Sequence, residues 1–162
     1  MTSASTPEHE IIIVTPEMTM LWQQCYDIRV AVFVVEQGFS IDDESDEWDE
    51  TSTHLLVRLV PSLKPVGTIR PVWTPGYYKL SRLAVLKDYR RFSFGRALVL
   101  GLHDWVRIDA IKNGRNDEVK IRAHSQLPVK GFYAKYGYIP EGDEFDEDGA
   151  PHQLMVATIK LD

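Results

Sequence analysis

Residues 78–105 read YKLSRLAVLKDYRRFSFGRALVLGLHDW, and the spacing of their apolar residues changes once. Over the first part, Leu80, Leu83 and Val85 with few breakers predict a strand that is covered on both faces. From Phe94 onward, apolar residues recur every three or four positions, which predicts a helix with one apolar face and with His103 among the outward residues. A strand, a basic turn and a long helix therefore organise this chain.

The turn between this strand and this helix has the composition of an anion-binding site. Its residues are Arg90, Arg91, Phe92, Ser93, Phe94, Gly95 and Arg96. The first backbone N–H groups of a helix have no partner inside it and the helix dipole favours negative charge there, while small residues allow close approach. The turn lacks the glycines of a P-loop or of a dinucleotide-binding turn. We therefore expect a cradle for a phosphate or pyrophosphate of another kind.

Composition limits the class of protein. The chain has 162 residues, 44% of them hydrophobic, which predicts a single domain over residues 10–162 behind a flexible N-terminus of residues 1–9. Its single cysteine, Cys25, cannot form an internal disulfide, and no window resembles a membrane span. We expect a cytoplasmic protein that binds no metal, no membrane and no nucleic acid.

Charge is unevenly distributed along the chain. The formal net charge is -6, yet residues 42–50 hold seven acids and residues 141–148 hold six, with no lysine or arginine in either segment. Without those 13 acids, 11 of the 24 acids remain against 18 lysines and arginines, a formal charge of +7. An acidic protein with this distribution can still present a cationic surface to a phosphorylated cofactor.

The rest of the chain alternates between strands and helices. Thr15, Pro16 and Glu17 form a helix start, with a cap, a proline at the first position and an acid in the first turn. That helix has an apolar face that includes Cys25 and Arg29. Further elements are predicted as strands at 10–14, 53–60, 66–73, 118–123 and 153–161 and as a short helix at 129–136, with one or two strands closing the order. The first acidic segment is predicted as a loop or a short helix, and the second as a loop.

This order resembles the GNAT superfamily of acyltransferases over most of the chain. The turn is similar to the family's acetyl-coenzyme A signature, Arg/Gln-x-x-Gly-x-Gly/Ala, with Arg90 first, Gly95 last and Ser93 in place of a glycine. The ElaA and YjcF-like branch has further motifs, which are matched here by residues 29–37 (RVAVFVVEQ), by His54 after an acidic segment, and by residues 148–152 (DGAPH). The resemblance implies an α/β GNAT fold, with a mixed, mostly antiparallel sheet flanked by helices.

The resemblance also implies a cofactor and the residues that hold it. Acetyl-coenzyme A is the expected acyl donor, with coenzyme A as product. Its pyrophosphate would lie on residues 90–96, its pantetheine on the strand edge formed by Leu83, Ala84 and Val85, and Gln126 would end a strand close by. Residues 132–138 (FYAKYGY) match the family's Tyr-x-x-x-Gly-Phe element, which implies that Tyr133 takes the position of the tyrosine that often protonates the leaving thiolate. A phenol suits this role because it is protonated at neutral pH. The alternative for Tyr133 is an aromatic side chain packed in the core.

Two residues are candidates for the general base that deprotonates the acceptor amine. Glu36 ends the first helix, and a partly desolvated carboxylate can have its pKa raised toward the working range. His152 is the second candidate, because imidazole titrates near neutrality. The alternatives are a salt bridge at the helix end for Glu36 and a hydrogen bond at a strand start for His152, with water as the base.

The acceptor is the least constrained feature. If both acidic segments border its cleft, a small cationic primary amine would be attracted and a sugar phosphate repelled. Both segments can also be solvated loops that aid solubility. A glucosamine-phosphate-type acetyltransferase and a non-catalytic module that binds acyl-coenzyme A or a protein are the alternative functions. We expect a monomer or a homodimer.

Overall fold

The computed structural model describes residues 5–115 and 117–162. Predictions that fall on residues 1–4, in the expected flexible N-terminus, and on Asn116 lie outside the described residues. The chain divides into two compact units. The first unit comprises residues 5–70 with Arg82–Gly101, and the second comprises Pro71–Ser81 with residues 102–162. Three elements, β3, β4 and α2 below, contribute residues to both units.

Seven strands form a mixed sheet, as predicted, and three α-helices accompany them in the described residues. The strands are β1 (His9–Val14), β2 (His54–Leu59), β3 (Pro65–Thr74), β4 (Tyr77–Val85), β5 (Glu118–Gln126), β6 (Ile139–Glu147) and β7 (Ala150–Lys160). The helices are α1 (Thr19–Arg29), α2 (Phe94–Lys112) and α3 (Lys130–Ala134). Within the first unit the order is β1-β2-β3, and within the second it is β4-β5-β7-β6. The β4–β5 pair is parallel, and the pairs β1–β2, β2–β3, β5–β7 and β6–β7 are antiparallel.

The first helix begins later than the sequence predicts. The Thr15 hydroxyl donates to the Glu17 carboxylate at 2.6 Å, and the Met18 amide donates to the Thr15 carbonyl at 3.0 Å. These bonds close a turn, so α1 starts only at Thr19. The predicted helix start, with Thr15 as the cap and Pro16 as the first residue, is therefore wrong by three residues, because local side-chain bonds of Thr15 compete with helical geometry.

A π-helix continues α1 directly, over Val30–Glu36. The Gln37 amide donates to the Val32 carbonyl at 3.0 Å, which is the wide i to i−5 spacing of a π-helix. Such turns are rare and are frequent at functional sites. The 3.6-residue period predicts one straight helix here, so the π-helix could not be read from the apolar spacing. Glu36 is the last residue of this π-helix.

Arg29 is completely buried, and the first acidic segment folds over it. Its guanidinium donates to the Glu44 carboxylate at 2.6 Å and to both Asp49 oxygens at 2.7 and 3.0 Å. Arg70, which is 1% exposed, donates to Asp46 and Asp49 in turn. A buried charge without partners is strongly unfavourable, so these carboxylates are required structurally. The prediction of a freely solvated acidic loop is wrong for Glu44 and Asp49, which are buried.

The second acidic segment is mostly strand β6, so its prediction as a loop is also wrong. Asp148 and Gly149, with φ of 53° and 84°, make a two-residue turn in which Glu147 pairs with Ala150. Asp-Gly is favoured in such hairpin turns because both positions need positive φ. In the second unit β6 pairs only with β7 and is an edge strand, where charged side chains oppose pairing with other chains.

The buried network predicts acid sensitivity that depends on His54, which is fully buried and lies 3.1 Å from an Arg29 nitrogen. Burial, and then the charges of Arg29 and Arg70, lower the pKa of His54 to about 4. The unfolded chain, with an ordinary histidine pKa, binds the extra proton as the pH falls from about 6.5 to about 4. Stability contributed by neutral His54 is present above this range and is lost through it, by about 3 kcal/mol.

The measurement is urea unfolding of wild type and His54→Gln at several pH values. Gln cannot titrate but can still accept a hydrogen bond from Arg29. Wild type should lose about 3 kcal/mol more unfolding free energy than His54→Gln between pH 6.5 and 4. Parallel losses in the two proteins would show that His54 is not the titrating group.

Candidate active site

The turn between β4 and α2 has the geometry of an open helix N-terminus. A 3₁₀-helix at Lys87–Phe92 leads to Ser93, whose backbone is left-handed with φ 62° and ψ 28°. The Ala97 amide then donates to the Ser93 carbonyl at 3.1 Å, which is the first α-helical bond. The amides of Phe94, Gly95 and Arg96 come before it, so they have no carbonyl one turn earlier in α2. Ser93 and Arg96 are exposed beside them.

The buried side chains of Phe92 and Phe94 anchor this turn. Phe92 is 8% exposed and Phe94 is 1% exposed, with their ring centroids 5.9 Å apart. The Phe94 ring also meets the His9 ring edge-on at 4.8 Å. Both phenylalanines were predicted to bind the cofactor, and their burial leaves only their backbone for that purpose. Their side chains hold the helix start in place.

Arg90 contacts the protein through most of its guanidinium. Its Nε donates to the Val85 carbonyl at 2.9 Å, and its two terminal nitrogens donate to the two Glu36 oxygens at 2.6 Å each. The bond joins residues 54 positions apart in the sequence. Two predicted site residues, the pyrophosphate ligand Arg90 and the base Glu36, are thus brought together as an ion pair.

The expected raised pKa of Glu36 is wrong in direction. The hydrogen bond from Arg90 lowers its pKa from the ordinary value, against a smaller opposing effect of burial. A bidentate arginine stabilises the ionised carboxylate, and it occupies both oxygens that a base would need. The salt bridge at the helix end, which was the alternative for Glu36, is what the structure contains.

The predicted pantetheine edge follows an unusual residue in β4. Arg82 has φ 54°, a left-handed conformation that costs a non-glycine residue about 1–2 kcal/mol. Its terminal nitrogen donates to the carbonyls of Asp43 and Glu44 at 3.2 Å each. Its Nε is 3.2 Å from the Glu44 carboxylate, although without hydrogen-bond geometry. Arg82 therefore joins the first acidic segment to the strand immediately before Leu83, Ala84 and Val85.

In the second unit, Tyr133 lies on α3 with its ring buried, 7% exposed. Its centroid is 5.6 Å from that of Tyr138, at an interplanar angle of 69°. Tyr138 is in turn fixed by a 2.8 Å hydrogen bond to His103, which is buried and not outward-facing as predicted. Burial raises the pKa of Tyr133 above the ordinary phenol value.

His152 and Gln126 are direct neighbours across β5 and β7, so two further predicted residues meet. His152 is 6% exposed, and its Nδ1 is 2.8 Å from the Ala150 carbonyl, which makes Nδ1 the donor. Its Nε2 is 3.7 Å from one oxygen of Glu147, and the other oxygen of Glu147 is 2.8 Å from His124. The hydrogen-bonded strand start, the alternative for His152, is therefore present, and Nε2 is still the basic nitrogen.

The predicted residues thus form two groups, one in each unit. The first unit holds Glu36, Leu83–Val85 and residues 90–96, and the second holds Gln126, Tyr133 and His152. Sequence reasoning missed Arg82 and Glu147 as contacts of these groups. A signal existed for the network around Arg82, because Arg29 occupies an apolar helical position and a buried arginine requires acids. For Glu147, the Asp148-Gly149 sequence was the available signal, because it favours a hairpin turn that brings Glu147 opposite Ala150 and close to His152.

A broad groove of about 1230 Å³ in the second unit contains none of the predicted site residues. It is lined by Trp73, Arg115 and residues from the start of β5 and the end of β7. Arg115 is stacked on Trp73 at 3.4 Å and donates to the Tyr78 hydroxyl at 2.9 Å. These contacts use the arginine within the protein, so they give no reason to place the site there.

Comparisons with known proteins show the family to which this chain belongs. The acetyltransferase (GNAT) domain family matches residues 30–159. YjcF of Bacillus subtilis, an uncharacterised N-acetyltransferase, is 32% identical over 135 residues, which are 83% of this chain and 90% of YjcF. The chain belongs to the GNAT acetyltransferase family, and it is an acetyltransferase with the fold of that family.

Solved structures agree with this fold. A crystal structure from Lactobacillus plantarum has a TM-score of 0.79 and 28% identity, over 94% of this chain and 99% of that one. Escherichia coli ElaA has a TM-score of 0.75 and 21% identity, over 91% of this chain and 99% of its own. The similarity to YjcF and to ElaA supports the branch to which the motifs pointed. Within the described residues, no helix is long and apolar enough to cross a membrane.

The left-handed Ser93 leads to a stability prediction. Its side chain is exposed, and glycine adopts this conformation without the penalty of about 1 kcal/mol or more that a Cβ brings. Ser93→Gly should therefore raise the unfolding free energy by up to about 1 kcal/mol, partly offset by the freer unfolded chain. Ser93→Ala, which keeps the Cβ, should change it by less than about 0.5 kcal/mol. Denaturant unfolding of both variants tests this, and a destabilised Ser93→Gly would contradict it.

Proposed function

We propose that the protein transfers an acetyl group from acetyl-coenzyme A to a primary amine of a small, cationic acceptor, by direct attack of the amine. The observation that carries the proposal is the turn at Ser93, where the open amides of Phe94 to Arg96 lie beside exposed arginines. Helix starts of this kind bind phosphate groups. The donor set fits a pyrophosphate, since it combines backbone N–H groups with the full charges of Arg91 and Arg96.

Bound acetyl-coenzyme A supplies the activated acetyl thioester. In the proposal, Leu83, Ala84 and Val85 orient the pantetheine arm, and backbone amides there stabilise the negative charge that develops on the thioester carbonyl oxygen. Arg82 supports this edge from the preceding position through its bonds to Asp43 and Glu44. Gln126 is the proposed contact at the end of β5.

Tyr133 is the proposed general acid that protonates the leaving thiolate. Its ring is buried and is held by Tyr138. Burial raises its pKa, so the phenol is protonated at neutral pH. A higher phenol pKa opposes proton transfer in water, but the same dry surroundings also destabilise the thiolate and favour its protonation.

His152 is the stronger of the two candidates for the general base. Its Nδ1 donates to Ala150, so Nε2 is the nitrogen with a free electron pair, and Nε2 lies 3.7 Å from the Glu147 carboxylate. Glu36 is the weaker candidate, because both of its oxygens are bound to Arg90. Water delivered to the amine is the remaining alternative.

The preference for a cationic amine rests on the acids that the ion networks leave free. Asp42, Asp43, Glu47 and Glu50 are exposed in the first unit, and Glu141, Asp143 and Glu144 are exposed in the second. Such surfaces attract cations and repel phosphates. This counts against a glucosamine-phosphate acceptor. The non-catalytic alternative rested on Ser93, and it loses support because Ser93 adopts the backbone conformation of a glycine.

Replacement of the proposed acid tests catalysis. Tyr133→Phe removes the proton donor but keeps the ring, so kcat should fall about 100-fold or more while KM for acetyl-coenzyme A changes little. The assay is release of free thiol in a screen of amines. Tyr136→Phe, in the turn that follows α3, is the matched control and should retain wild-type rates. Undiminished turnover of Tyr133→Phe would remove the acid assignment, and absence of turnover by wild type with every amine would favour a binding module.

Salt dependence tests the acceptor class. The exposed acids should raise kcat/KM for a polyamine relative to a neutral primary amine, and this preference should shrink as ionic strength rises from about 0.01 to about 0.5 M. The two amines are compared at saturating acetyl-coenzyme A, so that screening of cofactor binding does not enter. Equal salt dependence for both amines, or no preference for the polyamine, would contradict a cationic acceptor.

A further inference from the structure

Arg90 fastens two separate pieces of the first unit to the turn that carries the proposed pyrophosphate site. Its Nε binds the carbonyl of Val85, the last residue of β4, and its terminal nitrogens bind Glu36, the last residue of the π-helix. Arg90 itself lies in the 3₁₀-helix that leads to Ser93. The three bonds span 2.6–2.9 Å, so the end of the π-helix, the end of β4 and the turn are tied to one guanidinium.

The charge of this pair points to a geometric role. A guanidinium has five N–H groups, of which Val85 and Glu36 take three. The positive charge of Arg90 is matched by the Glu36 carboxylate, so the pair adds little net charge to the turn. Attraction of an anion therefore falls to Arg91, Arg96 and the helix start. Orientation of the turn is the function that is left for the Glu36–Arg90 pair.

We propose that Glu36 is a positioning residue: by holding Arg90 it pre-organises the turn for the cofactor pyrophosphate, and it is not the base of the reaction. This inference rests on the proposed function, because it assumes that coenzyme A binds at the turn. Pre-organised sites bind more tightly because less ordering is left to the binding step. Loss of Glu36 therefore weakens cofactor binding.

A competing arrangement makes the opposite prediction. If Glu36 occupied Arg90 in place of the pyrophosphate, its removal would free a full positive charge and tighten coenzyme A binding. The sign of the change therefore separates the two roles. Stability does not separate them, since a pair whose side chains are 40% and 31% exposed contributes little to folding.

The experiment measures the Kd of coenzyme A by calorimetry for wild type, Glu36→Ala, Arg90→Ala and the double variant. Each single variant should weaken binding about tenfold, and the double variant should bind no more weakly than either single one. Arg90→Lys should not restore affinity, because a lysine cannot make the bidentate bond and the bond to Val85 together. In turnover assays the loss in Glu36→Ala should fall mainly on KM for acetyl-coenzyme A.

Glu10→Ala is the matched control. Glu10 pairs with Arg58 at 2.6 Å in the same unit, with similar exposure, between β1 and β2. It should leave the coenzyme A Kd unchanged, with a similar small change in unfolding free energy. Unchanged or tighter binding by Glu36→Ala overturns the positioning role, and so does a loss confined to kcat. Absence of coenzyme A binding by wild type overturns the proposed function as well, which distinguishes the two failures.

Discussion

Burial of the Arg29 guanidinium is the constraint on which the first unit depends. A charge with no exposed surface must be surrounded by hydrogen-bonding acids, so the segment around Glu44 and Asp49 has to fold onto the end of α1. Arg70 and Arg82 join the same carboxylates from β3 and β4. One ion network thereby fixes the segment after the π-helix and the strand that precedes the turn.

The position of the turn follows from that network in two ways. Arg82 sits in a left-handed conformation within β4 and is bonded to the acidic segment, just before the proposed pantetheine edge. The π-helix begins directly after Arg29 and ends at Glu36, which reaches Arg90. The buried Arg29, the strained Arg82 and the exposed Glu36–Arg90 pair are thus connected through successive contacts. Its far end is the helix start at Ser93, where the cofactor is proposed to bind.

The sequence was most informative where one residue pattern has one structural solution. The apolar period changes at Phe94, and α2 begins there. The hairpin turn at Asp148 and Gly149 was not predicted, because the many acids before it hid the strand β6. The π-helix could not be predicted, because it depends on backbone hydrogen bonds that the spacing of apolar side chains does not report. The partners of Arg29 could not be predicted either, because folding decides which distant acids meet the guanidinium.

For the candidate site, too, the sequence predicts some features and not others. Local motifs predicted the helix start, Tyr133 and His152 as site residues, but not what each one contacts. The ion pair between Glu36 and Arg90 joins positions 54 residues apart, and only the fold brings them together. A crystal structure with coenzyme A tests the central claim most directly. It should show the pyrophosphate within hydrogen-bond distance of the amides of Phe94 to Arg96, with Arg90 still on Glu36, whereas a pyrophosphate bound away from this helix start would contradict it.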